Sequence, residues 1–94
     1  MITSSGATHV VRALEENGVG TLFVLPGIQL DPLFDALYPH QDRFRIIQTR
    51  HEQATTYMAY GYARSTGTLG VSVVVPGPGV LNALSGLSTA YATN

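Results

Sequence analysis

Three ionisable side chains stand together in a chain that has few of them. Arg50, His51 and Glu52 are consecutive, although charged residues make up only 12% of the 94 residues. An apolar run precedes them and a helical pattern follows, so Glu52 could simply begin a helix, where a carboxylate contributes about 0.3–1 kcal/mol against the helix dipole. The chemical alternative is a carboxyl group, buried among small uncharged neighbours, that shares a proton with a ligand.

The two residues before Glu52 have less specific interpretations. His51 could be a general base or a metal ligand, but a histidine beside a strand end is more often a hydrogen-bonded structural group. His9 and His40 lie in other segments at no metal-ligand spacing, and there is no cysteine, so no metal site is predicted. Arg50 is expected to cap a strand end or to pair with a carboxylate, with anion binding as the alternative.

Helices and strands alternate along the chain around this cluster. The first helix is predicted over residues 5–17, and the second begins with Asp31 as N-cap and Pro32 as first helical residue. The third helix is predicted from Glu52 to Gly67, which ends it, and the fourth follows Gly79. Strands are predicted over residues 21–25, 44–48 and 71–75. The residues expected to face inward are Ala7, Val10, Val11 and Leu14; Leu33, Phe34 and Leu37; Ala54, Met58, Gly61, Tyr62 and Ser65; and Leu81, Leu84, Leu87 and Tyr91.

This alternation predicts an α/β fold: a parallel sheet with helices on both faces, in three layers. The β-branched run over residues 71–75 should be covered on both faces. Three parallel strands leave two open edges. The chain is therefore expected to be the first part of a larger domain, or to be completed by a partner.

Three loops should meet at one edge of this sheet, because ligands of open parallel sheets bind beyond the carboxyl ends of the strands. They span residues 26–29, 50–53 and 76–79. The last, Pro-Gly-Pro-Gly, weakly resembles a phosphate cradle, but a tight turn that lets the fourth helix pack on the sheet is the simpler interpretation. Asn82 could reach a ligand there. A nucleotide-binding Rossmann protein is disfavoured, since the glycine fingerprint is missing.

Composition narrows the class of protein. The net charge is -1 with no basic run, which argues against nucleic-acid binding. No apolar stretch approaches the roughly 20 residues of a membrane span. The first six residues lack the features of a signal peptide. A cytoplasmic protein is expected.

Four segments together resemble a known family. They read GATHVVRALEENGVGTLFVLPG, LFDALY, RHEQATTYMAYGYARSTG and PGPGVLNALSGLSTAY, and they cover the chain from Gly6 to Tyr91. In order and spacing they are similar to the N-terminal, pyrimidine-binding domain of thiamine diphosphate-dependent enzymes. The resemblance is to the acetolactate synthase type, and also to benzoylformate decarboxylase and related enzymes of 2-oxo acids.

The resemblance implies roles for five residues. Glu52 would hydrogen-bond N1′ of the aminopyrimidine and favour the imino tautomer that removes the thiazolium C2 proton. Pro26 and Gly27 would lie near the pyrimidine and the substrate channel, and Pro78 and Asn82 would line the pyrimidine pocket. The implied enzyme is a lyase or transferase that decarboxylates or carboligates 2-oxo acids.

The resemblance also implies what residues 1–94 lack. The diphosphate and Mg²⁺ are held by a GDG motif and an asparagine on another domain, which faces the pyrimidine domain from a second subunit of a homodimer or homotetramer. No GDG occurs here, so this chain alone is expected to be inactive.

This sequence differs from the family pattern at three positions. Ile28 replaces the second glycine of PGG, Pro76 replaces the serine of SGPG, and Tyr60 replaces an acid. Ile28 argues against copying the substrate of acetolactate synthase and against the FAD that such synthases carry, although FAD stays open as a second cofactor. The alternative to an enzyme is a non-catalytic α/β module for assembly or regulation.

Overall fold

In a computed structural model of the protein, the described part of the chain runs from residue 5 to residue 93. Residues 1–4, which belong to the segment tested for a signal peptide, and Asn94 lie outside it. Single 3₁₀ turns, Ile28–Leu30 and Tyr38–His40, flank the second helix. The main elements are α1 (Gly6–Glu16), β1 (Thr21–Val24), α2 (Asp31–Leu37), β2 (Arg45–Gln48), α3 (Glu52–Thr66), β3 (Ser72–Val73) and α4 (Pro78–Thr93). The predicted alternation of helices and strands is confirmed.

The three strands form a parallel sheet in the order β2-β1-β3. All four residues of β1 are buried, as expected for the central strand. The backbone amides of Phe23 and Leu25 donate to the carbonyl oxygens of Val71 and Val73 at 3.0 and 3.2 Å. Within residues 5–93, β3 pairs only with β1, and its residues are half-buried. Val71 and Val73 pack against the core and α3 contacts β3, so the expected cover of residues 71–75 is present but only partial.

Alternate residues of β1 point to opposite faces of the sheet. On one face, Leu22 and Val24 join the core together with Val11 of α1 and Leu37 of α2. On the other, the ring of Phe23 meets Tyr62 of α3 edge-on, with ring centroids 5.8 Å apart. Helices thus cover both faces, and the predicted three-layer α/β fold is confirmed.

Local sequence features set several helix ends. The Ser5 hydroxyl accepts a hydrogen bond from the Thr8 amide at 3.1 Å and so caps α1. Gly67 ends α3 in the left-handed conformation, with φ 71°, as its position predicted. Asp31 is not the N-cap of α2, because the turn Ile28–Leu30 runs directly into the helix and makes Asp31 its first residue.

Helix α4 packs on α3 through small residues, which corrects the predicted faces of both helices. On α4 the buried residues are Gly79, Ala83 and Gly86. Leu81, Leu84, Leu87 and Tyr91 are 43–86% exposed, so their predicted inward orientation is wrong. On α3 the buried residues are Thr55 and Ala59. Met58, Gly61 and Ser65 are exposed, about one position away from the packed face.

The physical reason is the short distance between the two helices. The Thr56 hydroxyl donates to the carbonyl oxygen of Ala83 at 2.6 Å. An ideal Cβ at Gly86 would collide with the Thr56 side chain and would lie 2.7 Å from the Tyr57 backbone nitrogen. Backbones this close leave room only for glycine and alanine, so the large apolar residues turn outward. Val10 of α1, which was also expected inward, is 47% exposed.

None of the helices between residues 5 and 93 has the length and apolar character needed to cross a membrane.

Candidate functional site

The site lies where the connections from two neighbouring strands diverge. The chain leaves β1 into α2 on one face of the sheet, whereas it leaves β3 into α4, which packs on α3 at the other face. The region beyond the carboxyl ends of the strands at such a divergence is the usual ligand site of open α/β sheets. The turns at residues 26–29 and 76–79 lie at this edge.

Glu52 is held at the same edge by a side chain that is distant in the sequence. It is the first residue of α3, where its charge complements the helix dipole, and its side chain is partly buried. Asn82, one turn into α4, donates from Nδ2 to Glu52 Oε1 at 3.2 Å. This hydrogen bond joins the amino-terminal turns of α3 and α4 and orients the carboxylate.

The second carboxylate oxygen of Glu52 is available to a ligand. Within residues 5–93, Asn82 is the only donor that hydrogen-bonds to this side chain, and it uses Oε1. Every buried polar side-chain atom in that part of the chain has a hydrogen-bond partner. Oε2 has no such partner, so it is not buried and stays in contact with solvent. An oriented oxygen that is accessible and without a protein donor is suited to share a proton with a bound heterocycle.

Glycines let the two turns approach each other around one side chain. A Cβ at Gly27 would collide with Val75 Cγ1, and a Cβ at Gly79 would lie 2.7 Å from Val75 Cγ2. The same ideal Cβ at Gly79 would lie 3.6 Å from Glu52 Oε2. The structure therefore brings Gly27, Glu52, Gly79 and Asn82 into one neighbourhood centred on Val75.

The two prolines of the predicted site lie at the surface. Pro26 and Pro78 are exposed in the two turns, and Pro78 begins α4. Val75 was not identified as a site residue from the sequence, because its type is the same as that of the other apolar residues of the predicted strand. Gly79 carried a signal, the Pro-Gly-Pro-Gly run, but its contact with the Glu52 region depends on the fold.

His51 has the structural role that its position predicts. Its Nδ1 accepts a hydrogen bond from the Gln53 amide at 3.1 Å and caps α3, while the Thr49 hydroxyl donates to the His51 carbonyl oxygen at 2.8 Å. Arg50 is exposed and forms no ion pair with any carboxylate from residue 5 to residue 93. The same part of the chain contains no cluster of ligands suited to a metal ion.

Replacing His51 by alanine should destabilise the protein by about 1 kcal/mol, the usual effect of losing an N-cap acceptor. His51→Asn keeps a short acceptor at the cap and should stay within a few tenths of a kcal/mol of the parent. The free energy of unfolding, measured in urea, distinguishes the two variants. Equal losses in both would show that the cap hydrogen bond is not what His51 contributes.

A cavity of about 170 Å³ lies elsewhere, between α3, α4 and β3. Its lining holds no carboxylate and none of the predicted site residues. It is formed by Thr56, Ala59, Tyr60, Ala63, Gly70, Ser72, Leu87 and Ala90. This cavity is therefore separate from the residues gathered at the sheet edge.

A parallel α/β sheet with an oriented glutamate at its carboxyl edge is the arrangement that the motif resemblance implied. Residues 4–94 match the family model described as thiamine pyrophosphate enzyme, N-terminal TPP binding domain. The chain belongs to this family.

Relatives within the family have one description in common. The chain is 47% identical over 87 residues to the acetolactate synthase large subunit of Buchnera aphidicola subsp. Schizaphis graminum (93% of the chain, 15% of that protein). It is 46% identical over 87 residues to the probable large subunit of Methanocaldococcus jannaschii (93% and 14%). It is 45% identical over 87 residues to the isozyme 3 large subunit of Escherichia coli K12 (93% and 15%). The chain thus spans about one seventh of the length of these relatives.

Proposed function

We propose that this chain forms the pyrimidine-binding part of a thiamine diphosphate-dependent enzyme that decarboxylates or carboligates a 2-oxo acid, as a lyase or transferase. The observation that carries the proposal is the accessible Oε2 of Glu52, on a carboxylate whose other oxygen is held by Asn82. Family membership and the relatives described as acetolactate synthases support it.

The residues at the sheet edge fit the aminopyrimidine ring. Glu52 Oε2 would share a proton with N1′, while the hydrogen bond from Asn82 to Oε1 keeps the carboxylate in place. Asn82 and Pro78 would line the ring pocket, and Pro26 and Gly27 would border the ring and the substrate channel. When bound, thiamine diphosphate supplies the thiazolium carbon that adds to the carbonyl of the 2-oxo acid.

The substrate channel would differ from that of the synthases at one position. Ile28 follows Gly27 at the site edge and is 83% exposed, so its side chain is available to a substrate. A branched side chain there favours a substrate range different from that of enzymes with glycine, and it disfavours the flavin arrangement of the synthases.

The diphosphate and Mg²⁺ belong to a second domain in this proposal. Residues 5–93 offer no metal-ligand cluster, and the sequence has no GDG motif. The complete site would form between this chain and the diphosphate-binding domain of another subunit, in a homodimer or homotetramer.

The direct test is hydrogen–deuterium exchange at C2 of the bound cofactor. It requires the full-length enzyme, meaning a protein that contains this chain together with a diphosphate-binding domain. A Glu52→Gln variant that exchanges at the parent rate would contradict the proposal.

The 94-residue chain alone is expected to bind thiamine diphosphate with a Kd weaker than about 1 mM. In this proposal residues 5–93 would contact only the pyrimidine half of the cofactor, and the charged diphosphate would be held by the second domain. Isothermal titration calorimetry with Mg²⁺ present measures this, and circular dichroism on the same sample reports whether the helices are folded. Micromolar binding by the folded chain would disprove the assignment of the diphosphate to another domain.

A further inference from the structure

Val75 lies between the two glycine turns that flank the proposed site. It follows β3 by two residues and is half-buried. Its Cγ1 occupies the space where Gly27 would carry a Cβ, and its Cγ2 occupies the same space at Gly79. One side chain therefore contacts the turn after β1 and the turn after β3 at once.

The branching of valine suits this double contact. Two methyl groups on Cβ restrict χ1 strongly, so their directions relative to the backbone are nearly fixed. Glycine at both contact points removes any side chain that could adjust to a different spacing. One rigid side chain thus fills the space between the two turns.

The contact continues to the carboxylate. An ideal Cβ at Gly79 would lie 2.7 Å from Val75 Cγ2 and 3.6 Å from Glu52 Oε2, so Gly79 is adjacent to both side chains. Gly79 also belongs to the first turn of α4, the helix that carries Asn82. A shift of Val75 would be transmitted to Glu52 through Gly79 and through the hydrogen-bond donor on α4.

We propose that Val75 is a positioning residue for Glu52. Its two methyl groups hold the Gly27 and Gly79 turns at the separation that aligns Glu52 Oε2 with the aminopyrimidine. This inference rests on the proposed function, since it needs a ring between the turns. It assigns Val75 no contact with the reacting atoms.

The test compares valine variants in the full-length enzyme. Val75→Ala removes both methyl groups, Val75→Ile enlarges the spacer, and Val75→Thr keeps the branched shape. Val73→Ala is the matched control, because Val73 lies on β3 and packs against the core, not against the glycine turns. For each variant we would measure the Kd for thiamine diphosphate, the rate of C2 exchange at saturating cofactor, and the Tm without cofactor.

Val75→Ala and Val75→Ile should each slow C2 exchange at least about tenfold, since small misplacements of catalytic groups are costly. Both should also weaken cofactor binding. Val75→Thr should stay within about threefold of the parent in both quantities. Val73→Ala should lower the Tm but leave Kd and exchange unchanged.

The inference is overturned if the alanine and isoleucine variants at position 75 match Val73→Ala in Kd and exchange. If Val75→Ala does not fold, the contrast between the isoleucine and threonine variants decides in the same way. Glu52→Gln, measured in parallel, separates this outcome from failure of the proposed function. If Glu52→Gln exchanges at the parent rate, the proposed function fails; if it is slow while the Val75 variants are normal, only this inference fails.

Discussion

Glu52→Gln in the full-length enzyme is expected to slow exchange of the C2 proton of bound thiamine diphosphate by about 10²–10⁴-fold, the usual contribution of a positioned acid–base group. Glutamine has nearly the same shape and can still accept the hydrogen bond that Asn82 donates to Glu52 Oε1. It cannot exchange a proton with N1′. The loss should therefore appear in the exchange rate, while the Tm and the Kd for the cofactor change little.

Glu16→Gln is the matched control for this measurement. Glu16 is an exposed residue at the end of α1, so the same change of charge there should leave the C2 exchange rate at the parent value. Equal rates in the parent and in Glu52→Gln would remove Glu52 from cofactor activation. A large increase in Kd with an unchanged exchange rate would assign it a binding role instead.

Gly86→Ala is expected to destabilise the protein by about 1–3 kcal/mol, the usual range for overpacking a close contact. An ideal Cβ at Gly86 lies 2.7 Å from the backbone nitrogen of Tyr57 and 2.8 Å from the carbonyl carbon of Thr56. Backbone atoms cannot rotate away as a flexible side chain can. Helices α3 and α4 would have to separate, which would also stretch the hydrogen bond between Thr56 and Ala83.

Gly61→Ala is the control that isolates this contact. Gly61 lies within α3, and among residues 5–93 no atom outside its local helix is within 4 Å of an ideal Cβ there. Alanine is favoured over glycine in a helix by about 0.8–1.0 kcal/mol, so Gly61→Ala should stabilise the protein. Urea unfolding of the two variants should give shifts of opposite sign. A stabilised Gly86→Ala would show that α3 and α4 do not approach as closely as described.

The signals that correctly predicted the elements are local. Gly67 ends α3 because glycine takes the left-handed conformation without strain. The apolar run of β1 is buried because it forms the central strand. Such preferences act within a few residues, so they survive in almost any tertiary setting. Predictions that needed knowledge of a neighbour were less accurate: Asp31 failed as a cap because the preceding residues had already formed a 3₁₀ turn.

The helix faces show the limit of hydrophobic periodicity. The pattern of Leu81, Leu84 and Leu87 indicates an apolar stripe, yet the contact with α3 uses Ala83 and Gly86. Periodicity reports which side chains are apolar, not how closely two backbones approach. Because α4 is apolar nearly all round, the short distance between α3 and α4 determines which of its faces packs.

The sequence by itself determined the order of the elements, the α/β class and the placement of Glu52 after the second strand, because these depend on local preferences and on the direction of parallel strands. Only the tertiary structure decided that Asn82, 30 residues away, orients the carboxylate and that Val75 separates the two glycine turns. Those contacts join segments from different strands and helices. Their geometry depends on the packing distances between whole elements, which no local pattern of residues encodes.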